Sequence, residues 1–174
     1  QVDLNDARQE HRRDLQARIY EALARYQVNV FMTNLGPTSI GFAVGRELYP
    51  EVQDMLDALV LPMPGDEPTV YLVQSTRDET KAFETQKQLL APLGEVRELK
   101  FTVNEACTMV SLVAYDFLQQ PGVFLQVLNT LESNGIPVLQ TNDSDYSLSC
   151  LIPESELRRA VQLLHEAFSL SLAT

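Results

Sequence analysis

Histidine and cysteine are scarce in this sequence, with two of each in 174 residues, and that scarcity restricts the chemistry open to it. His11 and His165 fall on different predicted helices with no further ligand at metal spacing, so they read as surface or helix-packing residues. His165 and Glu166 are adjacent on a helix, point different ways and share no site. Cys107 and Cys150 both lie in apolar, alternating segments, where cysteine acts as a small buried hydrophobe; a disulfide or a reactive thiol are the alternatives. The seven glycines are scattered, forming neither a G-x-x-x-x-G-K-[ST] phosphate loop nor a G-x-G-x-x-G turn. Asp143 and Asp145 resemble a calcium loop only superficially, because its glycine and bidentate glutamate are missing; an Asn/Asp-rich turn accounts for them. Neither a metal, a cofactor nor a catalytic constellation is expected.

Positive charge is also short: 13 Lys and Arg stand against 24 Asp and Glu, a formal net charge of -11. Such a chain repels phosphate backbones and anionic bilayers, so nucleic acid and membrane are not expected partners. The longest apolar run, Ala58–Met63, is far too short to cross a bilayer, and no basic segment followed by an apolar one opens the chain. A soluble, cytoplasmic protein is the expectation. Because the sequence opens on Gln1 inside an apolar run, a fragment or processed subunit is expected.

What the sequence does have is a repeat. Hydrophobic residues make up 45% of the chain, enough for a buried core, and the chain matches itself without a gap at an offset of 108. Val2 then falls on Val110, Ile19 on Val127, Leu23 on Leu131, Val28 on Ile136, Thr33 on Thr141, Asn34 on Asn142 and Val44 on Ile152. Each copy opens with a short strand (Val2–Leu4; Thr108–Tyr115). A helix follows, its apolar face formed by Leu15, Ile19, Ala22 and Leu23 or by Phe124, Val127, Leu128 and Leu131. A hairpin comes next, running from Val28, Val30 and Met32 into Ser39–Val44, or from Ile136 and Val138 into Tyr146–Ile152. A second helix closes each copy, carrying Val52, Met55, Leu56 and Leu59, or Leu157, Val161, Leu164 and Phe168.

This order predicts an α+β fold: two ferredoxin-like βαββαβ modules whose antiparallel sheets carry helices on one face. The expected boundaries are 1–76 for the first module, 77–105 for a connecting helix and strand, and 106–174 for the second. Thr69–Gln74 supplies the fourth strand of the first module. In the second, no strand is expected after Phe168, and the linker's spare strand Val96–Val103, or an upstream piece, is the candidate to fill the vacant edge.

The second copy contains Ala106-Cys107-Thr108-Met109-Val110-Ser111-Leu112-Val113, Gln120-Pro121-Gly122-Val123, the run from Gly135-Ile136-Pro137-Val138 to Ser144, and Ala160-Val161-Gln162-Leu163-Leu164-His165-Glu166-Ala167-Phe168. In this order the segments resemble the C-terminal regulatory half of aspartate kinases, whose paired modules are ACT domains. The first copy, through Ile19–Leu23, Val28-Asn29-Val30 and Asn34-Leu35-Gly36-Pro37, is similar to the preceding module of that family. The resemblance implies an amino-acid effector such as lysine or threonine, a homodimer with ligand at the joint between modules, and feedback control of a separate aspartate kinase domain in amino-acid biosynthesis. The glycine-rich kinase segment is absent from this sequence.

The resemblance places the effector at the entry to the second copy's first helix, with Asp116, Gln120, Gly122 and Val123, and at the facing strand end, with Asn142, Asp143 and Ser144; Thr33 and Asn34 are the first-copy equivalents. Physical chemistry supports such a place. A helix N-terminus presents unpaired N–H groups to a carboxylate, Gly122 permits close approach, and Asn, Asp and Ser oxygens accept from an ammonium group. Ordinary turn and cap roles are the alternative for each residue. Three departures stand out: Phe31 replaces an acidic residue, Asn5–Arg13 replaces the proline-glycine helix entry, and Ala114 replaces a glycine. The first pocket is therefore expected to be altered or lost. A ligand-free ACT pair serving only dimerisation is the alternative function, with dimerisation expected from exposed sheet edges.

Overall fold

The computed structural model describes residues 1–76, 81–113 and 121–168, and the chain divides into two compact units, 1–103 and 104–174.

The first unit is built on a six-stranded sheet. Its elements run β1 (Val2–Asp3), α1 (Arg12–Arg25), β2 (Val30–Leu35), β3 (Ser39–Val44), α2 (Tyr49–Asp57), β4 (Val60–Met63), β5 (Thr69–Ser75), α3 (Lys81–Leu90) and β6 (Glu95–Phe101). The strand order is β2-β3-β1-β6-β5-β4. Strands β2, β3, β1 and β6, with α1 and α2, reproduce the βαββαβ plan, β6 lying antiparallel to β1 where the fourth strand belongs. The expected fourth strand, Thr69–Gln74, is instead β5, one position further out and parallel to β6. The reason lies in the hydrogen-bonding demand of β5. All seven of its residues are buried, so it needs a neighbour on each edge and cover on both faces. β4 supplies one edge and β6 the other. The spare strand is thus consumed inside the first unit and does not complete the second.

β4 forms next to Pro64, Gly65 and Pro68, turn-favouring residues that separate it from β5. Pro62 is tolerated because β4 is an edge strand, and its carbonyl accepts from Arg18 Nη1 at 2.7 Å. On one face of the sheet, Leu15, Ile19 and Leu23 of α1 and Val52, Met55 and Leu56 of α2 pack with Val2, Ile40, Tyr71, Val73, Leu99 and Phe101. On the other face Val70 and Leu72 are buried.

The second unit has β7 (Cys107–Val113), α4 (Val123–Glu132), β8 (Gln140–Asp143), β9 (Ser147–Pro153) and α5 (Leu157–Ala167). Its sheet is three-stranded and antiparallel, ordered β7-β9-β8. The core joins Leu112, Leu148, Cys150 and Ile152 of the sheet to Val123, Val127 and Leu131 of α4 and Ala160 and Leu164 of α5. The buried stripe is shifted from expectation: Val123 replaces Phe124, which is exposed, and Ala160 replaces Leu157 and Val161. The shifted sets keep strict i, i+4 spacing, which the larger expected residues had masked. Ile136 and Val138 precede β8 rather than forming it, although Ile136 is fully buried.

The repeat survives in detail. The β2–β3 pairs Met32↔Ala43, Thr33↔Phe42, Asn34↔Gly41 and Leu35↔Ile40 recur at the offset of 108 as Gln140↔Leu151, Thr141↔Cys150, Asn142↔Ser149 and Asp143↔Leu148. Both first helices end in the same Schellman turn. Gln27 (φ 56°) and Gly135 (φ 75°) take the left-handed position, and Val28 N and Ile136 N donate to Leu23 O and Leu131 O at 2.9 and 3.0 Å. Only the opening strand breaks the register. Val2 pairs with Ile40, whereas Leu148 pairs with Leu112, so Val2 corresponds to Leu112 and not to Val110.

Candidate ligand site

α4 begins at Gly122, which has φ 91°, a left-handed conformation that favours glycine. Among the described residues, a Cβ there would meet nothing within 4 Å. Val123 is buried and anchors the first turn in the core, while Gln126 N closes it on Gly122 O at 2.9 Å. No acidic residue lies in this first turn.

β8 runs parallel to β7, both being antiparallel to β9, so its C-terminal end lies at the end of the sheet from which the chain leaves for α4. Alternation along β8 then separates the expected acceptors. Asp143, opposite Leu148, is on the face that carries α4. Asn142, opposite Ser149, is on the other face, where Ser111 Oγ and Ser149 Oγ share a 2.7 Å hydrogen bond. Ser144 is taken up by its turn: its Oγ accepts from Ser147 N at 3.1 Å and bonds Ser147 Oγ at 2.9 Å. Of the expected residues in the second unit, the structure therefore brings Gly122, Val123 and Asp143 to one end and one face. Asn142 is at that end on the opposite face. Asp116 and Gln120 lie outside the described residues.

The first unit repeats the split. Thr33 is on the helix-covered face with Phe42, and Asn34 is on the other with Gly41. Beside Thr33, burial raises the pKa of the Tyr20 phenol, an effect the Thr33 hydroxyl partly opposes.

One feature has no counterpart in the sequence reading. A shallow groove of about 440 Å³ runs from Gly122 along α4, lined by Leu125, Gln126, Asn129, Thr130 and Ser133. Two-residue-wide polar positions on an exposed helix face carry no distinctive pattern, so Gln126 and Asn129 gave no signal. Among the described residues no group of three or more His, Cys, Asp and Glu could hold a metal ion. Cys107 and Cys150 are both thiols; Cys107 Sγ donates to Asn104 O at 3.2 Å, and burial pushes the Cys150 thiol up to about 11. No helix among the described residues is long and apolar enough to cross a membrane.

Residues 102–166, nearly all of them in the second unit, match the ACT domain family. The other likenesses of the chain are to aspartate kinases and their regulatory subunits. It is 33% identical over 88 residues to aspartokinase 1 of Bacillus subtilis (strain 168), a match covering 51% of this chain and 21% of that protein. The chain thus spans about a fifth of the length of that relative. In fold it is similar to the ligand-free regulatory subunit of aspartate kinase from Thermus thermophilus, with a TM-score of 0.64 at 19% identity, covering 97% of this chain and 90% of that one. It is also similar to a chain of the aspartokinase alpha and beta subunits, with a TM-score of 0.62 at 20% identity, covering 90% and 84%.

Proposed function

We propose that this chain is the amino-acid-sensing regulatory part of an aspartate kinase, binding an effector such as lysine or threonine at the α4 entry and passing the signal to a kinase domain or catalytic subunit. The observation that carries the reading is the ACT match over residues 102–166, within which α4 opens on a glycine whose Cβ position meets none of the described residues. In this reading the effector carboxylate accepts from the backbone N–H groups that open α4, and Asp143, on the same face and at the same end, accepts from its ammonium. The homodimer belongs to the same proposal. The chain works in the cytoplasm, where its effector is made.

The test is thermal unfolding of the purified chain with lysine, threonine, methionine or diaminopimelate at millimolar concentration. An effector present at one hundred times its Kd adds about 2.7 kcal/mol to stability, so a selective rise in Tm is expected. No rise with any amino acid would favour the second reading, an ACT pair that only joins subunits. One observation favours that second reading: the helix-free face of the second sheet, with Met109, Ser111, Val113, Asn142, Ser149 and Leu151, carries no charged side chain in a chain of net charge -11. Such a face can meet its own copy without repulsion.

A further inference from the structure

The first unit has its own entry from β1 into α1, and its own side chains fill it. The segment between β1 and α1 is pinned almost residue by residue. Leu4 N donates to Thr38 O at 2.8 Å, Asn5 N to Asp3 Oδ1 at 2.7 Å, Ala7 N to Leu4 O at 3.1 Å, and Arg8 N to the Tyr71 hydroxyl at 3.1 Å. Tyr71 comes from β5, is fully buried, and its hydroxyl also lies 3.0 Å from His11 Nδ1, with the two rings edge to face at 5.8 Å. Outside this plug the Arg8 guanidinium pairs with Glu95 at 2.7 Å and Glu67 at 2.8 Å, and Arg97 Nη1 donates to Asp6 O at 3.0 Å. Leu4 and Ala7 are buried beneath. A backbone loop that recognises a carboxylate needs N–H groups left available to it. Here those of Leu4, Asn5, Ala7 and Arg8 are spent on the protein itself.

At the offset of 108 the counterpart of Gly122 is Asp14, which stands in the first turn of α1 beside Arg12 and Arg13. Side-chain charge at this helix start is therefore mixed, and it is the backbone hydrogen bonding that distinguishes the loop.

We infer that the β1–α1 segment is an internally liganded counterpart of the effector loop, with Tyr71 as its built-in occupant, so that each chain takes one amino acid, at the second unit. The count of one rests on the function proposed above; the closure does not. The strands β4 and β5, extra to the βαββαβ plan, have a purpose in this view: they deliver Tyr71 and Glu67 to the loop.

The test uses the full chain and two readouts. Amide hydrogen exchange resolved at Arg8 is measured without ligand, with millimolar threonine or lysine, and in Tyr71→Phe. Titration calorimetry with the same amino acids gives the stoichiometry. The Arg8 amide is expected to be protected without ligand and unchanged by amino acid. In Tyr71→Phe it should exchange roughly fivefold faster, the factor that loss of a typical hydrogen bond produces, while Leu131 and Cys150 amides stay protected. One ligand per chain is expected. An Arg8 amide that exchanges freely, or becomes protected only when amino acid is added, overturns the closure, as does a stoichiometry of two. If no amino acid binds, the sensing function fails, and Arg8 exchange still decides whether the loop is closed.

Discussion

Replacing Gly122 by Asn and by Asp separates the two tasks of the α4 entry. The two side chains have the same shape, and both tolerate the left-handed conformation (φ 91°) better than other residues do. Neither meets a steric barrier among the described residues, none of which lies within 4 Å of a Cβ at this position. Each variant therefore loses about 1 kcal/mol of backbone energy, and the difference between them is one negative charge. In the ligand-free chain that charge sits at the positive end of α4, so Gly122→Asp should be the more stable of the two by about 0.3–1 kcal/mol. Towards a ligand carboxylate bound at the same N–H groups the sign reverses. Two unit charges ~5 Å apart, at an effective dielectric constant of roughly 40, repel by about 1.7 kcal/mol, or about fifteenfold in affinity. The assay is calorimetric titration of both variants with the effector found by thermal shift, alongside urea unfolding without ligand. The expected result is crossed: Asp above Asn in stability, below it in affinity. Equal affinities would refute the placement of the carboxylate at α4, whatever else binds.

Three further outcomes follow from particular positions. Gly94, at φ 146°, would direct a Cβ to 2.1 Å from the Pro68 carbonyl oxygen, which is backbone and cannot yield, so Gly94→Ala should cost more than ~3 kcal/mol in urea unfolding while Gly65→Ala, with nothing nearby, costs about nothing. Gln27 occupies at φ 56° the position that Gly135 holds in the second unit, so Gln27→Gly should raise stability by about 0.5–1 kcal/mol; a loss would mean that the side chain makes a contact outweighing the backbone strain. Cys150 is the one thiol whose pKa is pushed up to about 11, against an ordinary value near 9. Below pH 9 it is protonated in both the folded and the unfolded chain and contributes no pH dependence. Between pH 9 and 11 the unfolded chain releases the proton that the folded chain keeps, so stability falls as pH rises. Urea unfolding across that window should show a shallower decline in Cys150→Ala than in the parent, and identical slopes would show that burial does not hold the proton.

The sequence made the hairpins and first helices readable because each is local and because each occurs twice. Four cross-strand pairs and one Schellman turn recur at a single offset, and the alternation Thr33, Asn34 or Thr141, Asn142 already implied that neighbours on a strand face opposite ways. The partner of β1 was not readable, since antiparallel strand choice between Thr69–Ser75 and Glu95–Phe101 depends on pairing across some seventy to one hundred residues. A clue was nevertheless present: Thr-Val-Tyr-Leu-Val-Gln-Ser has hydrophobic residues on both of its faces, as a strand covered on both sides does. β4 was hidden by Pro62 and Pro64, which mark loops more often than edge strands. In the ligand site, the helix entry at Pro121-Gly122 was visible through the family resemblance. The diversion of Ser144 into its own turn was not, because a turn hydroxyl and a ligand hydroxyl carry the same letter. The filling of the first unit's loop depends on Tyr71, far from the loop in sequence, and only the tertiary fold brings them together.

The placement of β6 has a consequence for how the chain acquires its shape. β1 is two residues long and lies inside a six-stranded sheet, held by β3 on one side and β6 on the other. Val2 meets Phe101, and Thr102 N donates to Gln1 O at 2.8 Å. The first unit's sheet cannot close until the segment some hundred residues downstream has arrived, and the loop-closure entropy of that step must be met before its contacts repay it. Among the described residues of the second unit no strand pairing spans more than 46 residues, the longest being Cys107 with Pro153. On a ribosome, the earlier-made half waits for a strand made about a hundred residues later, and the later-made half waits less than half as long.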